Sequence, residues 1–333
     1  MTLTFFSTQA YDKTFFQSHN KSLGFNLVFL KVQLNEQTVS LATQTEAICV
    51  FVNDQVNEPV IKQLASQGVK IIALRCAGFN NIDLKAAAAY KVKVVRVPAY
   101  SPHAVAEHAV ALIMALNRKT HKAYNRVREQ NFSLNGLLGF DLNGKTVGVI
   151  GTGNIGEVFA KIMLGFGCKV LATDIHQNEK LLKAGVTYLP IEELLAHSDI
   201  ISLHCPLNEH TRYLINDNTI GLMKDGVMLI NTSRGALINT KTVIKGLKSG
   251  HISAVGIDVY EQEEKLFFRD LSEEIIEDDT ISRLMSFPNV LITAHQGFFT
   301  HEALTQIAKT TLLSLEAFSK GQPLVNEVSV APT

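Results

Sequence analysis

The sequence predicts an α/β protein made of two doubly wound parallel-sheet domains with a cleft between them. Short apolar runs alternate with helix-length segments along the chain, which is typical of parallel sheets covered by helices on both faces. The 333 residues also suggest two domains, at roughly 150 residues per domain. Finally, a glycine-rich nucleotide-binding pattern occurs after residue 145 but not before it, so the two domains are expected to differ in ligand.

The segment before residue 100 predicts a complete α/β domain. Its predicted helices include residues 58–67, with Asn57 as the N-cap, and residues 84–90. Because this segment has no G-x-G-x-x-G pattern, we do not expect it to bind the nucleotide. We expect it to be the substrate domain, with a flavodoxin-like fold. The apolar runs predicted to be its strands are residues 2–6, 25–31, 47–52, 70–76 and 92–97.

Residues 146–174 predict a dinucleotide-binding unit of the Rossmann type. An apolar run of strand length comes first, and Gly151, Gly153 and Gly156 follow it in G-x-G-x-x-G spacing. The first glycine permits a tight turn, the second lets the backbone approach a pyrophosphate, and the third lets the helix pack closely on its strand. Asp174 ends the next apolar run, where a carboxylate accepts hydrogen bonds from ribose hydroxyls. This pattern favours NAD over NADP.

The domain boundaries are predicted from prolines and from the last helix. The stretch PAYSP suggests a hinge before a helical pattern over residues 103–128, whose basic second half is expected to be a solvated helix end or a subunit contact. A last helix over residues 300–320 is long enough to return to the first domain. We therefore predict a discontinuous substrate domain, residues 1–99 with 298–333, and a nucleotide domain of residues 100–297.

Further strand and helix pairs follow the nucleotide-binding unit. An acidic insertion over residues 261–287 interrupts their rhythm and is expected to be a solvated surface. The predicted helices are residues 191–196, 216–223 and 240–248, and the predicted strands are residues 199–204, 227–231, 252–258 and 289–294.

The composition argues against several classes of protein. The chain has 31 Lys and Arg against 31 Asp and Glu, and a net charge of zero argues against nucleic acid as a partner. No apolar run approaches the roughly 18 residues of a membrane span, and no signal peptide pattern opens the chain. The four cysteines are widely separated and suggest neither a metal site nor a redox pair. We expect a cytoplasmic protein without a bound metal.

Two polar residues follow strands of the nucleotide domain, at the carboxyl edge where ligands of doubly wound sheets bind. Arg234, in NTSRG, could hold a carboxylate through two parallel hydrogen bonds. His295, in TAHQGF, could donate a proton to a carbonyl oxygen as the carbonyl is reduced. Each residue also has a purely structural interpretation. Arg234 could form a surface ion pair, and His295 could be a core residue whose hydrogen bonds are all made within the protein.

A carboxylate next to His295 would fix its ring and favour its charged form. Glu263, in DVYEQE, is one candidate for this partner. The local spacing does not distinguish it from Glu261 and Glu264, so all three remain open on this evidence.

The other histidines have weaker contexts. His204, in SLHCPL, is expected to line the cofactor because Pro206 turns the chain just after it. Four histidines are predicted to be structural or exposed: His103, His108, His121 and His301.

Taken together, these residues resemble the D-isomer-specific 2-hydroxyacid dehydrogenases, and within them the branch that reduces pyruvate in bacterial fermentation. The resemblance covers essentially the whole chain. Segments that are similar to the family, in family order, include ALRCAGFNNIDL, VRVPAYSPHAVAEHAVALIMALNRK, GKTVGVIGTGNIG, MKDGVMLINTSRGALI, DVYEQEEKLFFRD and TAHQGFFTHEAL.

The resemblance implies a role for each residue of the site. It implies that Arg234 binds the substrate carboxylate, that His295 is the acid/base and that Glu263 is its partner. The residues implied at the substrate are Arg75, Tyr100 and Phe298 with the backbone amides near Ala77 and Gly78. The residues implied at NAD are Gly151, Gly153, Asn154, Ile155, Gly156, Asp174, His204, Cys205, Pro206, Thr232, Ser233 and Asp258.

The implied activity is the reversible reduction of pyruvate to D-lactate by NADH, in a homodimer or homotetramer. Two alternatives remain. The first is the same chemistry on a bulkier 2-keto acid, because one methylene changes discrimination in an apolar pocket by only about 1–3 kcal/mol. The second is a binding protein that senses NAD(H) without catalysis.

Overall fold

The computed structural model describes residues 1–329, which form two compact units. Unit 1 comprises Met1–Ser101 together with the chain from Phe299 onward, and unit 2 comprises Pro102–Phe298. Each unit contains one parallel sheet with helices packed on it. The prediction of two parallel-sheet α/β domains is confirmed.

Unit 1 is built on a five-stranded sheet. Its N-terminal elements are β1 (Thr2–Phe5), α1 (Ala10–Asn20), β2 (Asn26–Phe29), a 3-10 helix (Val39–Leu41), β3 (Ala47–Val50), α2 (Glu58–Ser66), β4 (Ile71–Leu74), α3 (Leu84–Ala89) and β5 (Lys93–Arg96). The strand order is β2-β1-β3-β4-β5, all parallel. Asn57 caps α2 as predicted, because its side chain accepts from the Val60 amide. Helix α1 was not predicted, since only Asp12 and Phe16 of its residues are buried and its apolar periodicity is weak.

Unit 2 is built on a seven-stranded sheet. Its elements are α4 (Pro102–Arg118), α5 (Thr120–Arg128), β6 (Thr146–Ile150), α6 (Asn154–Gly165), β7 (Lys169–Thr173), α7 (Glu179–Lys183), β8 (Thr187–Tyr188), α8 (Ile191–His197), β9 (Ile200–Leu203), α9 (Asp217–Gly221), β10 (Val227–Asn231), a 3-10 helix (Gly235–Leu237), α10 (Thr240–Ser249), β11 (Ile252–Ile257), a 3-10 helix (Glu263–Lys265), α11 (Asp279–Met285) and β12 (Val290–Ile292). The order is β12-β11-β10-β9-β6-β7-β8, again all parallel.

The strand order of unit 2 reverses between β6 and β9. From β6 the chain moves to β7 and β8 on one side, and it then returns to β9 on the other side. The loops after β6 and β9 therefore separate at the carboxyl edge of the sheet, where doubly wound folds bind ligands. Two hydrophobic clusters fill the two faces of this sheet, one with α4 and α6 and the other with α8 and α10.

Two predictions about unit 2 need correction. The single helix expected over residues 103–128 is two helices, because Lys119 adopts a left-handed backbone with φ of 51° between α4 and α5. The acidic insertion is only partly a solvated surface. Its charged residues are mostly exposed, but Phe267, Ile281 and Leu284 are buried in the core of unit 2.

The last helix, α12 (His301–Ser319), belongs to unit 1. Thr300 caps it by accepting from the Ala303 amide. Its start packs on α1, where the rings of Phe15 and His301 are 5.3 Å apart. Across residues 1–329, none of the helices has both the length and the apolar character that crossing a membrane requires.

Candidate active site

The turn between β6 and α6 is shaped by its glycines. Gly151 has a φ of +93°, and a Cβ added there would lie 2.6 Å from the Cys205 amide nitrogen. A Cβ on Gly156 would lie 1.9 Å from the Gly151 carbonyl oxygen, so helix and strand meet there backbone to backbone. Nothing lies within 4 Å of a Cβ built on Gly153. The turn is therefore closed behind Gly151 and Gly156 and open at Gly153.

This turn presents free backbone donors. Within residues 1–329, the amides of Gly153, Asn154, Ile155 and Gly156 donate no hydrogen bond, as expected for the first turn of a helix. These amides and the positive end of the helix dipole suit a phosphate. Thr232, at the end of β10, has a buried hydroxyl that also lacks a hydrogen-bond partner among the described residues. The residues present thus fit a dinucleotide with a pyrophosphate.

Asp174 follows β7 at the same edge of the sheet. Its Oδ2 accepts from the amide of Thr152 at 2.5 Å and from the Thr152 hydroxyl at 3.1 Å. Burial alone would raise the pKa of Asp174, but these bonds and one from the His176 amide outweigh it and hold the pKa below its ordinary value. The carboxylate is therefore charged and fixed in orientation.

His204 does not offer its ring to a ligand. The ring packs on Phe159 of α6 at 4.7 Å, and its Nε2 lies 2.9 Å from the Ser202 hydroxyl. Burial lowers the pKa of His204 to about 3, so the ring is neutral. The His204 backbone lies beside Gly151, and the prediction that His204 lines the cofactor stays a prediction.

The neighbours of His204 are placed by the β9 and β10 loops. Ser233 donates its hydroxyl to the Cys205 carbonyl at 2.7 Å, which ties the two loops together. Burial raises the pKa of Cys205 to about 11, so its thiol is protonated. Pro206 is exposed.

His295 and Glu263 form a direct pair. The Nδ1 of His295 lies 2.7 Å from Glu263 Oε1, and both side chains are about one-sixth exposed, at 17% and 16%. The second oxygen of Glu263 accepts from the Tyr260 amide at 3.0 Å. Glu261 instead accepts from the Tyr213 hydroxyl and Glu264 is exposed. The structure therefore selects Glu263 from the three candidates that local spacing left open.

Asp258 anchors the loop that carries His295. Its carboxylate accepts from the Thr293 hydroxyl at 2.5 Å, the Gln296 amide at 2.8 Å and the Gly297 amide at 2.7 Å. Burial would raise the pKa of Asp258, but bonds from His108, Thr293 and Gln296 hold it below its ordinary value. Asp258 is 1% exposed. Its carboxylate is thus hydrogen-bonded within the protein, and the prediction that Asp258 contacts NAD stays a prediction.

Arg234 lies in the turn after β10. Within residues 1–329 its guanidinium forms no ion pair, and its Nη1 donates to the Ser233 carbonyl at 2.7 Å. A Cβ on Gly235 would lie 2.0 Å from the carbonyl carbon of Tyr260, so this turn abuts the segment that leads to Glu263. Because β10, β11 and β12 are adjacent and parallel, the Arg234, Glu263 and His295 segments share one edge of the sheet. The half-buried Arg234 cation is available to an anionic ligand.

In unit 1, a turn after β4 presents a second set of free donors. The amides of Ala77, Gly78 and Phe79 donate no hydrogen bond within residues 1–329. Their carbonyls are held: Arg96 Nη1 donates to the Ala77 carbonyl at 2.8 Å, and the Cys76 thiol donates to the Gly78 carbonyl at 3.2 Å. We call residues 76–79 the amide turn. It suits a small anion such as a carboxylate.

The side chain of Arg75 is not part of that turn's surface. It is 2% exposed, pairs with Asp12 at 3.2 Å, donates to the Ser7 carbonyl and packs on the ring of Phe51. A buried, paired guanidinium serves the packing of unit 1, and the prediction that Arg75 lies at the substrate stays a prediction.

The two remaining predicted substrate residues lie in different units. Tyr100 is half-buried in unit 1, and Phe298, the last residue of unit 2, is 7% exposed. The predictions for both residues stay predictions.

Three residues near the site were missed from the sequence: Arg96, His108 and Thr293. His108 and Thr293 contact Asp258, and Arg96 holds the amide turn. His108 lies in an apolar helical stretch, a place where a polar side chain needs a partner, and that was the available signal. Thr293 and Arg96 carry no such signal because each occupies an ordinary strand-end position.

Comparison with known proteins decides the family. Residues 110–297 match the domain described as "D-isomer specific 2-hydroxyacid dehydrogenase, NAD binding domain". The chain belongs to this family. It is 50% identical over 328 residues to D-lactate dehydrogenase of Escherichia coli, which covers 98% of this chain and 100% of the relative. It is 54% identical over 322 residues to 2-hydroxyacid dehydrogenase A of Aspergillus oryzae, which covers 96% and 92%.

The fold agrees with this assignment. The apo-structure of D-lactate dehydrogenase from Escherichia coli is similar to this chain with a TM-score of 0.91 at 48% identity, over 98% of this chain and 100% of that one. The family resemblance, the oxidoreductase class and NAD as the cofactor are therefore confirmed. The free amides of the β6–α6 turn belong to the family's NAD-binding domain.

Proposed function

We propose that this chain catalyses the reversible reduction of pyruvate to D-lactate by NADH. The observation that carries the proposal is the His295–Glu263 pair, held at the carboxyl edge of an NAD-binding sheet next to the unpaired cation of Arg234. The name of the Escherichia coli relative, D-lactate dehydrogenase, supports pyruvate and D-lactate as the substrate pair.

His295 is the proposed acid/base. A carboxylate is an acceptor, so the Nδ1 that faces Glu263 at 2.7 Å carries a hydrogen. The other ring nitrogen, Nε2, is then the atom that gives a proton to the carbonyl oxygen in reduction and takes it back in oxidation. Glu263 fixes the ring orientation and offsets the positive charge of the doubly protonated ring.

Each unit, taken by itself, offers one group that is proposed to bind a carboxylate. Arg234 supplies a planar cation that can form two parallel hydrogen bonds. Ala77 and Gly78 supply backbone amides whose carbonyls are held by Arg96 and Cys76, so the donors are fixed before substrate arrives. Fixed donors avoid the loss of conformational freedom that flexible donors undergo on binding.

NADH, when bound, supplies the hydride. The amides of residues 153–156 are proposed to hold its pyrophosphate and the Thr232 hydroxyl to donate to it. Asp174, charged and fixed by Thr152, is proposed to accept from the ribose hydroxyls and to repel the additional phosphate of NADPH.

The proposed activity is tested by following NADH absorbance with pyruvate, 2-ketobutyrate, 2-ketoisocaproate and phenylpyruvate, with chiral analysis of each product. We expect the fastest turnover with pyruvate and the D isomer as product. A preference for a branched or aromatic acid would replace the substrate and leave the mechanism. No turnover with any of these acids, despite NADH binding, would overturn the proposal.

We also propose that the chain forms at least a homodimer. Residues 120–140, the arm, begin with α5, which buries none of its residues. The arm is nevertheless held in one conformation, because Lys119 and Arg126 donate to the carbonyls of Gly136 and Asn135. Its apolar side chains that are at least half exposed are Tyr124, Val127, Phe132, Leu134 and Leu138.

An ordered apolar surface of this kind is typical of a protein interface. A second copy of the chain is the proposed occupant, since the zero net charge brings no overall repulsion between copies. Sedimentation equilibrium should give twice the chain mass or a higher multiple, and L138E should lower it. A monomer at micromolar concentration would contradict the proposal.

We also propose a cytoplasmic location, because the four cysteines are free and buried and such thiols persist in a reducing compartment.

A further inference from the structure

His108 reaches from helix α4 to the loop that carries His295. Its Nε2 lies 2.9 Å from the Thr293 hydroxyl and 3.3 Å from Asp258 Oδ1. The side chain of His108 is 15% exposed, and that of Asp258 is 2% exposed. The neighbouring α4 residues Ala106, Ala109 and Leu112 are buried in the core of unit 2, which fixes the position of the His108 backbone.

The hydrogen-bond roles in this cluster can be assigned by elimination. An ionised carboxylate only accepts, so at 2.5 Å the Thr293 hydroxyl donates its one hydrogen to Asp258. The hydroxyl oxygen can then only accept from His108. His108 therefore carries a hydrogen on Nε2, which faces both the Thr293 hydroxyl at 2.9 Å and Asp258 Oδ1 at 3.3 Å, and Thr293 in turn donates to Asp258.

Asp258 transmits this contact to the backbone around His295. Its side chain accepts from the Gln296 and Gly297 amides, and its carbonyl accepts from the His295 amide at 2.7 Å. His295 itself has a φ of 52°, in the left-handed region that residues other than glycine adopt uncommonly. The bonds to Asp258 hold the backbone amides from His295 to Gly297 in this turn.

We propose that His108 is a positioning residue for the reaction: through its contacts with Thr293 and Asp258, it holds the 293–297 loop so that His295 faces both Glu263 and the substrate. This inference rests on the proposed function of His295. His108 contacts neither the substrate nor the cofactor in this scheme, and it acts through the carboxylate of Asp258.

The packing leaves the loop little freedom to adjust. A Cβ on Gly297 would lie 3.0 Å from Asp258 Oδ2 and 3.6 Å from His108 Cδ2. The loop backbone is therefore in close contact with both side chains. A displacement of about 1 Å at a catalytic group can reduce turnover about 100-fold, so a small change at His108 is expected to be visible in kcat.

Two variants distinguish the effect of the hydrogen bond that His108 donates from the effect of the shape of its ring. H108F keeps a ring and removes the donor, whereas H108Q removes the ring and keeps an N–H that can reach Thr293. With NADH and pyruvate, H108F should lower kcat about 10- to 100-fold, with the KM for NADH unchanged. H108Q should recover most of the wild-type kcat. T293V removes the hydroxyl that accepts from His108 and donates to Asp258, so it should also lower kcat.

Wild-type kcat in H108F or in T293V would overturn the proposal. So would an H108Q as slow as H108F, because ring shape and not donation would then be decisive. T293V keeps the proposal testable if H108F fails to fold.

A second measurement does not depend on turnover. Hydrogen exchange at the Gln296 and Gly297 amides should be faster in H108F than in the wild type and in H108Q. If the wild-type chain reduces no 2-keto acid, the proposed function fails while the exchange experiment still decides whether His108 holds the loop. Unchanged exchange in H108F would overturn the positioning role.

Discussion

The amide turn of unit 1 and the His295 loop of unit 2 offer two kinds of chemical group for their two proposed tasks, carboxylate binding and proton transfer. Both follow a strand at the carboxyl edge of a parallel sheet. The amide turn offers backbone N–H groups, which any residue except proline provides. The His295 loop offers an imidazole whose partner is one particular carboxylate, at 2.7 Å. Recognition through the backbone is therefore nearly independent of side-chain identity, whereas proton transfer depends on it.

The two regions are held in place in the same way. A side chain from the end of the neighbouring strand fixes the backbone of each. Arg96 at the end of β5 holds the carbonyl of Ala77 after β4, and Asp258 after β11 holds the amides after β12. This arrangement predicts that substitutions at the residue that holds the amide turn affect substrate affinity, and that substitutions in the His295 loop affect the rate of the chemical step.

The largest effect is expected at His295. H295N removes the proton donor, so kcat should fall about 100- to 10,000-fold, the usual contribution of general acid catalysis. The KM for pyruvate should change little. Steady-state kinetics with a fluorescence titration of NADH binding would test this. A normal kcat would mean that another group protonates the carbonyl.

Glu263 should have the next largest effect. E263Q keeps the size of the side chain but loses the charge opposite Nδ1 of His295, and loss of such an orienting partner typically lowers activity about 10- to 100-fold. The matched control is E264Q, because Glu264 is adjacent and exposed. Equal kcat values for the two variants would show that the His295–Glu263 pair is not part of the reaction.

Arg96 tests the other region. R96Q shortens the donor to the Ala77 carbonyl, and the less ordered amides should bind the carboxylate about 1.4 kcal/mol more weakly, which is about tenfold in the KM for pyruvate. kcat at saturating pyruvate should stay normal. K93Q on the same strand is the control, since Lys93 pairs with Glu327 away from the turn. A lower kcat with a normal KM in R96Q would show that the amide turn acts in the chemical step and not in substrate binding.

His204 should affect stability and not activity. Its folded pKa of about 3 lies below the ordinary value near 6.5, so the folded state resists protonation. The neutral ring of His204 makes its full contribution to the free energy of unfolding above about pH 6.5. This contribution is lost as the pH falls, by up to about 2 kcal/mol between pH 7.5 and pH 5. Urea unfolding at both pH values should show a smaller loss for H204Q than for the wild type. Equal losses would mean that the ring is protonated in the folded protein.

The two regions also differ in how far they could be predicted from the sequence. The strands of both sheets except the two-residue β8, the glycines of the nucleotide turn and the residues Arg234 and His295 can be predicted, because the sequence itself shows periodicity, turn chemistry and side-chain chemistry. Glu263 could not be separated from Glu261 and Glu264, because that choice depends on which carboxylate points to β12.

Roles that depend on tertiary packing were not predictable. Asp258 and His204 have the right chemistry near the right strands, yet one carboxylate serves its own loop and one ring packs on Phe159. The ion pair of Arg75 with Asp12 joins residues 63 positions apart. The break at Lys119 was also missed, since lysine gives no sign of a left-handed conformation.

The separate roles proposed for the amide turn and the His295 loop can be tested together by single-turnover oxidation of enzyme-bound NADH. The rate is measured across a range of pyruvate concentrations, for R96Q and H295N in parallel. We expect R96Q to reach the wild-type plateau rate at a pyruvate concentration about tenfold higher. We expect H295N to have a much lower plateau rate, with an unchanged half-saturating concentration of pyruvate. A lower plateau in R96Q with normal half-saturation, or a normal plateau in H295N, would contradict these proposed roles.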